Sequence, residues 1–524
     1  MNDLLKDALN EIDDQYIAEA AQPQKRARKP YWYAAIAALL ALAIGLGAIF
    51  GSNGIPGATT GPIQIGTYPA TTPTNPIHQT FPTLTTPTTP ITFPTLPNPS
   101  GVTPPELLPL ANLVAAPQYP KMLQKPDDDD YDNYHDFIIA YDAWTDCRRQ
   151  QYNQPDGYAD SLTDFFLVSM KEFLQGTGNP TYSPLNVYMA MAMLAETTAG
   201  NSRQQILDLF GLETIEQLRE QASHVWNAHY CDDGETSLLM ANSLWLDDYF
   251  SFNQNTANLL ANHYYASSFH GDLGAAEMDA QLHDWLNANT GGMLNNQVND
   301  LHFDPLTVFG LASTVYFTAG WSSSFSDKKT ENAIFHADGK DLITPFMHAS
   351  RNNYYFWSDN FGAVMVNLTG GNVMWLILPD EGYTVADILA TDDYLRMTLD
   401  PWNWENYRKH KIHLSLPKFD VVSQQDLINS MKNMGVTDIF DRTVSDFSSL
   451  TDTPNLHVSE MSHSTRVAID EEGCMAAAIT VITGAGTGYP TEHEEMDFVV
   501  DRPFLFIISG HDDLPLFAGI VNEP

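Results

Sequence analysis

Cysteine is nearly absent. Only Cys147, Cys231 and Cys474 occur in 524 residues. An odd and sparse set excludes a disulfide framework, so stability has to come from an ordinary hydrophobic core. Positive charge is equally scarce: 25 Lys and Arg stand against 65 Asp and Glu, a formal net charge of −40. No broad cationic surface is available to offset phosphate repulsion, which argues against nucleic-acid binding. The acidity itself reads as solubility and weak self-association, with a cationic partner as the alternative. The chain also lacks a G-x-S-x-G elbow, an H-E-x-x-H helix and any Cys/His metal-ligand spacing. Enzymatic, cofactor-dependent and metal-dependent chemistry therefore find no motif, and the expectation is a non-enzyme without cofactor or metal. No internal repeat is visible. What remains is an ordinary apolar content of 44% spread over more residues than one core holds, so a large domain with additional segments is expected.

The N-terminal third divides by composition. A polar leader, residues 1–29, ends in Lys25, Arg26, Arg28 and Lys29. Residues 30–50 follow, and Tyr31–Phe50 is twenty residues without a charge, long enough to cross a bilayer as a helix. Tyr31, Trp32 and Tyr33 suit the interfacial belt, and the basic cluster places the N-terminus in the cytoplasm. A signal peptide cleaved near Gly45, Gly47 or Ala48 is the competing reading, which would leave the protein secreted. Residues 51–109 are rich in Thr and Pro and lack apolar periodicity, as in a disordered, extended linker that lifts a domain off the membrane. Residues 110–157 form an extension leading into the domain. Its run Asp127–Asp130 does not alternate as calcium-loop ligands do and reads as a solvated acidic turn.

A folded domain is expected over 158–524. Leu162, Phe165, Phe166, Met170 and Phe173 share a helical face. Ser183-Pro184 starts a second helix, and Leu185–Ala195 is apolar nearly all round, so that helix is buried. Gln281–Asn289 is a third, stopped by Gly291-Gly292. Val373–Leu378 is a continuous apolar strand, Ile412, Leu414 and Leu416 alternate with polar residues, and Phe504–Ile508 and Leu516–Val521 close the chain as strands. Helices first and strands later argue for an α+β fold.

One stretch breaks the usual rules: Glu471–Pro490, EEGCMAAAITVITGAGTGYP. Gly473 marks a bend, and Gly484, Gly486 and Gly488 mark a flexible turn. Between them, Cys474, Ala476, Ala478, Thr480 and Ile482 would line one strand face with mostly small side chains, and Met475, Ala477, Ile479 and Val481 the other. A core strand already in a sheet, or a buried helix, are the plain readings of this periodicity. The polar, glycine-rich continuation to Asp497 favours a long exposed loop instead, and an exposed strand-former needs a functional reason.

From about Tyr158 to Pro524 the chain resembles the serpin family, through several motifs in sequence order. Ser183-Pro184-Leu185-Asn186 resembles the start of that family's second helix, and Thr314–Trp321 with Phe325 its central-sheet strand. Leu378-Pro379, Leu416-Pro417-Lys418-Phe419, Met434-Gly435 and Asp446-Phe447-Ser448 resemble further motifs. So do the C-terminal runs Asp501–Phe506 and Leu516–Gly519. The resemblance implies three β-sheets with eight or nine surrounding helices and an exposed reactive-centre loop. It implies a loop hinge at Glu471, Glu472, Gly473, Cys474, Met475, Ala476, Ala477, Ala478, Ile479 and Thr480. It implies a sheet-opening region at Ser183, Asn186, Ser313 and His463; as a general base His463 would stand alone, and a histidine satisfied within the sheet is the reading taken. Counting from Glu471 at the family's spacing puts the scissile bond at Thr487-Gly488, with Ala485, Gly486 and Tyr489 as open neighbours.

Two departures from the family pattern stand out. Cys474 replaces the usual Thr or Ser and Met475 the usual Glu; cysteine is small enough to insert, and a redox sensitivity could accompany it. Asn186 and Ser313 carry the two residue types the family commonly has the other way round, so their donors and acceptors could be conserved as a set if they meet beneath the sheet beside His463. By resemblance the function is suicide inhibition of serine proteases: loop cleavage, acyl-enzyme trapping and strand insertion. No Lys or Arg occurs between Arg466 and Arg502, which disfavours a trypsin-like target. Small residues favour elastase-like or subtilisin-like proteases, and Tyr489 would suit a chymotrypsin-like one. The expectation is a monomeric, membrane-anchored bacterial member, with the domain extracellular and no nucleic-acid partner. A non-inhibitory surface binding or adhesion module is the alternative.

Overall fold

The computed structural model describes residues 112–524 except 121, 177, 291–300, 305 and 475–493. The leader, the apolar segment and the linker lie outside the described residues. Among the described residues, no helix is long and apolar enough to cross a membrane.

In chain order the strands are β1 (Leu113–Ala115), β2 (Thr181–Tyr182), β3 (Cys231–Asp232), β4 (Thr236–Asp247), β5 (Ala266–Gly271) and β6 (Phe309–Gly320). They continue with β7 (Glu331–Ala337), β8 (Lys340–Trp357), β9 (Phe361–Asn367), β10 (Val373–Pro379), β11 (Tyr407–Pro417) and β12 (Phe419–Asp426). The last five are β13 (Ser462–Ile469), β14 (Gly473–Cys474), β15 (Glu495–Val499), β16 (Phe504–Ser509) and β17 (Pro515–Val521). One sheet runs β1-β5-β4-β6-β14-β13-β12, with β3 paired to β4. The other runs β15-β11-β8-β9-β10-β16-β17-β2, with β7 paired to β8.

Among the described residues the hydrogen-bonded sheets number two, against the three that the resemblance implies. The reason is β8. Its 18 residues would span about 60 Å at strand rise. It pairs β7 at its start and β11 along its length, and it adds β9 over Tyr355–Trp357. One continuous strand thus joins what would otherwise be two sheets.

Ten α-helices stand among the described residues, against eight or nine expected. One of them, α1 (Tyr134–Tyr152), belongs to the extension. The α2 helix (Leu162–Phe173) buries the apolar face read from its sequence. The α3 helix (Pro184–Thr197) starts as its motif dictates: Ser183 Oγ accepts from the Asn186 amide (3.3 Å) and Pro184 occupies the first turn. Every residue of α3 except Ala190 is buried, because it runs beneath both sheets. Helices α4 (Gly200–Leu209), α5 (Ile215–His229) and α6 (Gln254–His263) follow. The α7 helix (Ala276–Asn289) starts five residues before the expected Gln281; its acidic first turn, Glu277 and Asp279, hides the amphipathic start. Met278, Leu282, Trp285 and Leu286 of α7 pack on Trp245 and Phe269, a second apolar cluster on the outer side of β4 and β5. Short helices α8 (Val385–Leu389), α9 (Asp393–Leu399) and α10 (Ile428–Asn433) complete the set.

The extension is fastened to the domain. β1 lengthens the first sheet by pairing with β5. Tyr119 stacks on Trp226 and Tyr230. Arg148 of α1 reaches Asp233 (3.3 Å) and Glu235 (2.7 Å), and Lys125 also meets Glu235 (2.6 Å). Asp127, Asp128 and Asp129 are exposed in the turn before α1.

Candidate functional site: an insertion hinge over a buried polar cluster

The hinge begins where β13 ends. After Ile469 the chain turns at Asp470, Glu471 and Glu472 and runs back as β14, antiparallel to both neighbours. Gly473 stands opposite Gly320, and Cys474 stands between Ala319 of β6 and Ile469 of β13. The sequence places the bend at Gly473 and the first hinge residues in an exposed loop. Instead the bend lies one residue earlier, and Gly473 and Cys474 are buried in the sheet. Gly473 is required by space: a Cβ there would lie 2.3 Å from the Ala319 carbonyl oxygen and 2.7 Å from the Gly320 Cα.

The turn is held by five hydrogen bonds of ordinary length. Trp321 N donates to Glu472 O (2.8 Å), Phe325 N to Glu471 O (2.9 Å), and Asp470 N to Gly473 O (3.0 Å). The Trp321 indole donates to Asp470 O (2.8 Å), and Glu472 N to Asp470 Oδ1 (2.9 Å). Glu471 is the anchor. Lys418 Nζ lies 2.7 Å from one of its carboxylate oxygens, and Thr330 Oγ1 donates to the other at 2.6 Å. Burial opposes ionisation of Glu471, but the lysine and the hydroxyl outweigh it and hold the carboxyl below its usual range. Glu472 is driven the other way, by desolvation first and then by Asp470 and Glu471. Burial, followed by the nearby Asp470 charge, pushes the Cys474 thiol well up. A buried, protonated thiol is unreactive, which argues against the redox sensitivity considered above.

The remaining hinge residues, Met475, Ala476, Ala477, Ala478, Ile479 and Thr480, lie outside the described residues. So do the expected scissile bond Thr487-Gly488 and its neighbours Ala485, Gly486 and Tyr489. The chain is described again at Glu494. There β15 runs parallel to β11, and Glu495 meets Lys411 (2.8 Å) and His413 (3.1 Å).

Among the described residues, β6 and β13 are joined only through β14. A slit of about 20 Å³ is lined by Val315 and Phe317 of β6, by Ser464 and Arg466 of β13, and by Ser183 and Asn186 below. Ser183, Asn186, Ser313 and His463 do come together here. Ser183 N donates to His463 Nε2 (3.0 Å), so the ring proton sits on Nδ1. Ser183 Oγ donates to Leu516 O (2.7 Å). Asn186 Nδ2 donates to Ser313 O (3.2 Å), and Ser313 Oγ bonds back to Asn186 Oδ1. The exchanged pair therefore meets, joined to His463 through Ser183 rather than directly. Burial in the sheet lowers the His463 pKa to about 4, so it is neutral at pH 7 and fit to accept a hydrogen bond.

Sequence reasoning missed Asn242. Its Oδ1 lies 2.7 Å from Ser313 Oγ and shares that hydroxyl's single proton with Asn186 Oδ1, while its Nδ2 donates to Tyr264 O (2.7 Å). The signal was present: Asn242-Ser243 interrupts an otherwise apolar run from Leu238 to Leu246. It also missed Lys418 as the partner of Glu471, since 53 residues separate them.

A profile of the family described as Serpin (serine protease inhibitor) matches residues 160–524. Serpin-ZX of Arabidopsis thaliana is 27% identical over 366 residues, covering 66% of this chain and 92% of that protein. Plasminogen activator inhibitor 1 of Sus scrofa is 27% identical over 382 residues, covering 69% and 91%. Among solved structures, the thermophilic serpin tengpin in its native state superposes with a TM-score of 0.63 at 24% identity, covering 71% of this chain and 95% of that one. With the profile spanning more than half of its length, this chain belongs to the serpin family.

Proposed function

We propose that the protein is an irreversible suicide-substrate inhibitor of serine proteases, with elastase-like or subtilisin-like targets and Thr487-Gly488 as the scissile bond. The observation that carries this reading is β14: the hinge residues Gly473 and Cys474 are seated between β6 and β13, antiparallel to both. In the sequence, Cys474 is followed by Met475 and the alanines Ala476–Ala478. Small side chains enter a narrow slit with little displacement of its walls, which favours fast insertion. The protease serine attacks the Thr487 carbonyl, the bond to Gly488 breaks, and the amine leaves with a proton from the protease. The acyl ester on Thr487 is then carried along as the freed segment adds to the sheet, and main-chain hydrogen bonds supply the driving force. The outcome is a race between insertion and hydrolysis of that ester.

We also infer that residues 30–50 anchor the chain as a single pass with the N-terminus cytoplasmic, and that residues 51–109 hold the domain outside the cell. A charge-free run of membrane-spanning length behind a basic cluster supports this.

The test is incubation of the full chain with pancreatic elastase, subtilisin and trypsin, read by denaturing gel and mass spectrometry. A denaturant-resistant adduct with the first two and a new N-terminus at Gly488 is expected. Trypsin should form none, since no Lys or Arg occurs between Arg466 and Arg502. Cleavage by every protease without an adduct would overturn inhibition.

A further inference from the structure

His229 is the last residue of α5 and is buried, 3% exposed. Its Nδ1 lies 2.8 Å from the Val225 carbonyl oxygen, and its Nε2 lies 3.1 Å from Oδ1 of Asp512, in the turn between β16 and β17. A neutral imidazole has one N–H to give, and here both ring nitrogens face acceptors. The carbonyl claims the Nδ1 proton, so a second proton has to sit between Nε2 and the carboxyl group. The other contacts of Asp512 place that proton on the ring. Leu514 N donates to Oδ1 (3.3 Å) and the Tyr158 hydroxyl bonds to Oδ2, a set of donors suited to a carboxylate. We propose that this proton is a latch: held between His229 and Asp512, it clamps the β16–β17 hairpin beneath the slit, and its loss in alkaline solution releases that hairpin.

The turn is shaped around the ring. A Cβ on Gly510 would lie 2.9 Å from His229 Nε2, so the turn backbone packs directly on the imidazole. Gly510 N donates to Leu514 O (2.9 Å), and Asp513 N to Gly510 O (3.1 Å). On either side of the turn, Ile508 of β16 and Phe517 of β17 line the slit beside Cys474. Leu516 O, one residue before Phe517, accepts from Ser183 Oγ. A clamp on this turn therefore bears on the floor over which the hinge strand lies.

The charges around the pair leave it to itself. His511, in the same turn, packs edge-on to Tyr152 of α1, and its Nδ1 is 3.7 Å from Asp512 Oδ1, too long for a hydrogen bond. Burial lowers the His511 pKa to about 4, so that ring is neutral. Arg148 of α1 is engaged by Asp233 and Glu235, and Lys125 by Glu235, so those four charges sum to zero. Asp513 follows in the turn, and His224 of α5 meets the Tyr158 ring. Burial alone would strip the proton from His229. The Asp512 carboxylate outweighs burial, with the Val225 carbonyl adding to it, and the pKa rises above 6.5. The end of a helix also favours a cation. A raised folded pKa means that the clamp is complete below pH 6.5 and is lost as pH rises through the folded value. Two lone pairs then face each other in a buried site, which opposes the packed turn.

The test is nitrogen-15 NMR of the full chain labelled at histidine, with His229→Gln to assign the signal. At pH 7 both His229 ring nitrogens should be protonated, and the ring should pass to its Nδ1-protonated neutral form only as pH rises. Asp512→Asn should leave His229 neutral at pH 7. The urea midpoint of the parent should fall between pH 7 and pH 9.5, and that of His229→Gln should stay nearly flat. Exchange of the Gly510 amide, corrected for its intrinsic pH dependence, should speed up by about tenfold over the same range, equivalent to one charged hydrogen bond. A neutral His229 at pH 7, a charged one in Asp512→Asn, or equal slopes for the parent and His229→Gln would overturn the latch. A titration of His229 that leaves Gly510 exchange unchanged would overturn the release of the hairpin.

Discussion

Gly473→Ala puts one methyl group where the hinge enters the sheet. The new Cβ would sit 2.3 Å from Ala319 O and 2.7 Å from Gly320 Cα, and both obstacles are backbone, which cannot rotate aside. The cheapest relief is to lift β14 out of its place. That weakens the bonds from Trp321 N to Glu472 O and from Asp470 N to Gly473 O, at about 1 kcal/mol each. It also uncovers part of the Cys474 side chain, now 1% exposed, for a further contribution of somewhat under 1 kcal/mol. The total is about 2–3 kcal/mol. An unfolding entropy of roughly 2.1 cal/mol/K per residue, taken over residues 160–524, converts this to a melting shift of about 3 °C. Insertion has to start at the same position, so the adduct with elastase should fall in favour of cleaved, free inhibitor. Thermal melts, hydrogen exchange at the Trp321 amide and the adduct yield read the three consequences. A variant that melts within about 1 °C of the parent, keeps Trp321 protected and traps elastase normally would refute the packing argument.

Two further substitutions address the polar cluster. His463 has a folded pKa of about 4 against an ordinary 6.5. Its stabilising contribution is therefore complete above pH 6.5 and is lost as pH falls towards 4, by on the order of 3 kcal/mol. His463→Gln keeps an acceptor for Ser183 N and should flatten the fall of the urea midpoint between pH 7 and pH 4; an unchanged slope would contradict the assignment. Asn186→Ser removes the amide that serves Ser313 O and Ser313 Oγ and should cost about 1–3 kcal/mol. Adding Ser313→Asn should recover part of that loss, and a double-mutant cycle with zero coupling would show that the exchanged pair does not act as a unit.

The elements with strong local signals were legible in the sequence. Ser183-Pro184 fixes the start of α3 because capping chemistry acts within one turn, and the alternation at Ile412, Leu414 and Leu416 fixes the inward face of β11. The sheet-opening residues were named through their motifs, but nothing local to Ser313 says that Asn186 and Asn242 will surround it. Sheet count was not legible either, since β8 carries no mark of where one sheet passes into another.

The sequence by itself determined the charge, the composition boundaries, the absence of Lys and Arg from Arg466 to Arg502 and the small-residue run after Glu472. All of these are properties of neighbouring residues and need no fold to exist. The tertiary structure decided that Glu471 pairs with Lys418, that His463 is neutral, and that Gly473 and Cys474 are strand rather than loop. Each depends on groups brought together from distant positions, and burial and contact set the energies of such groups only after the chain has closed on itself.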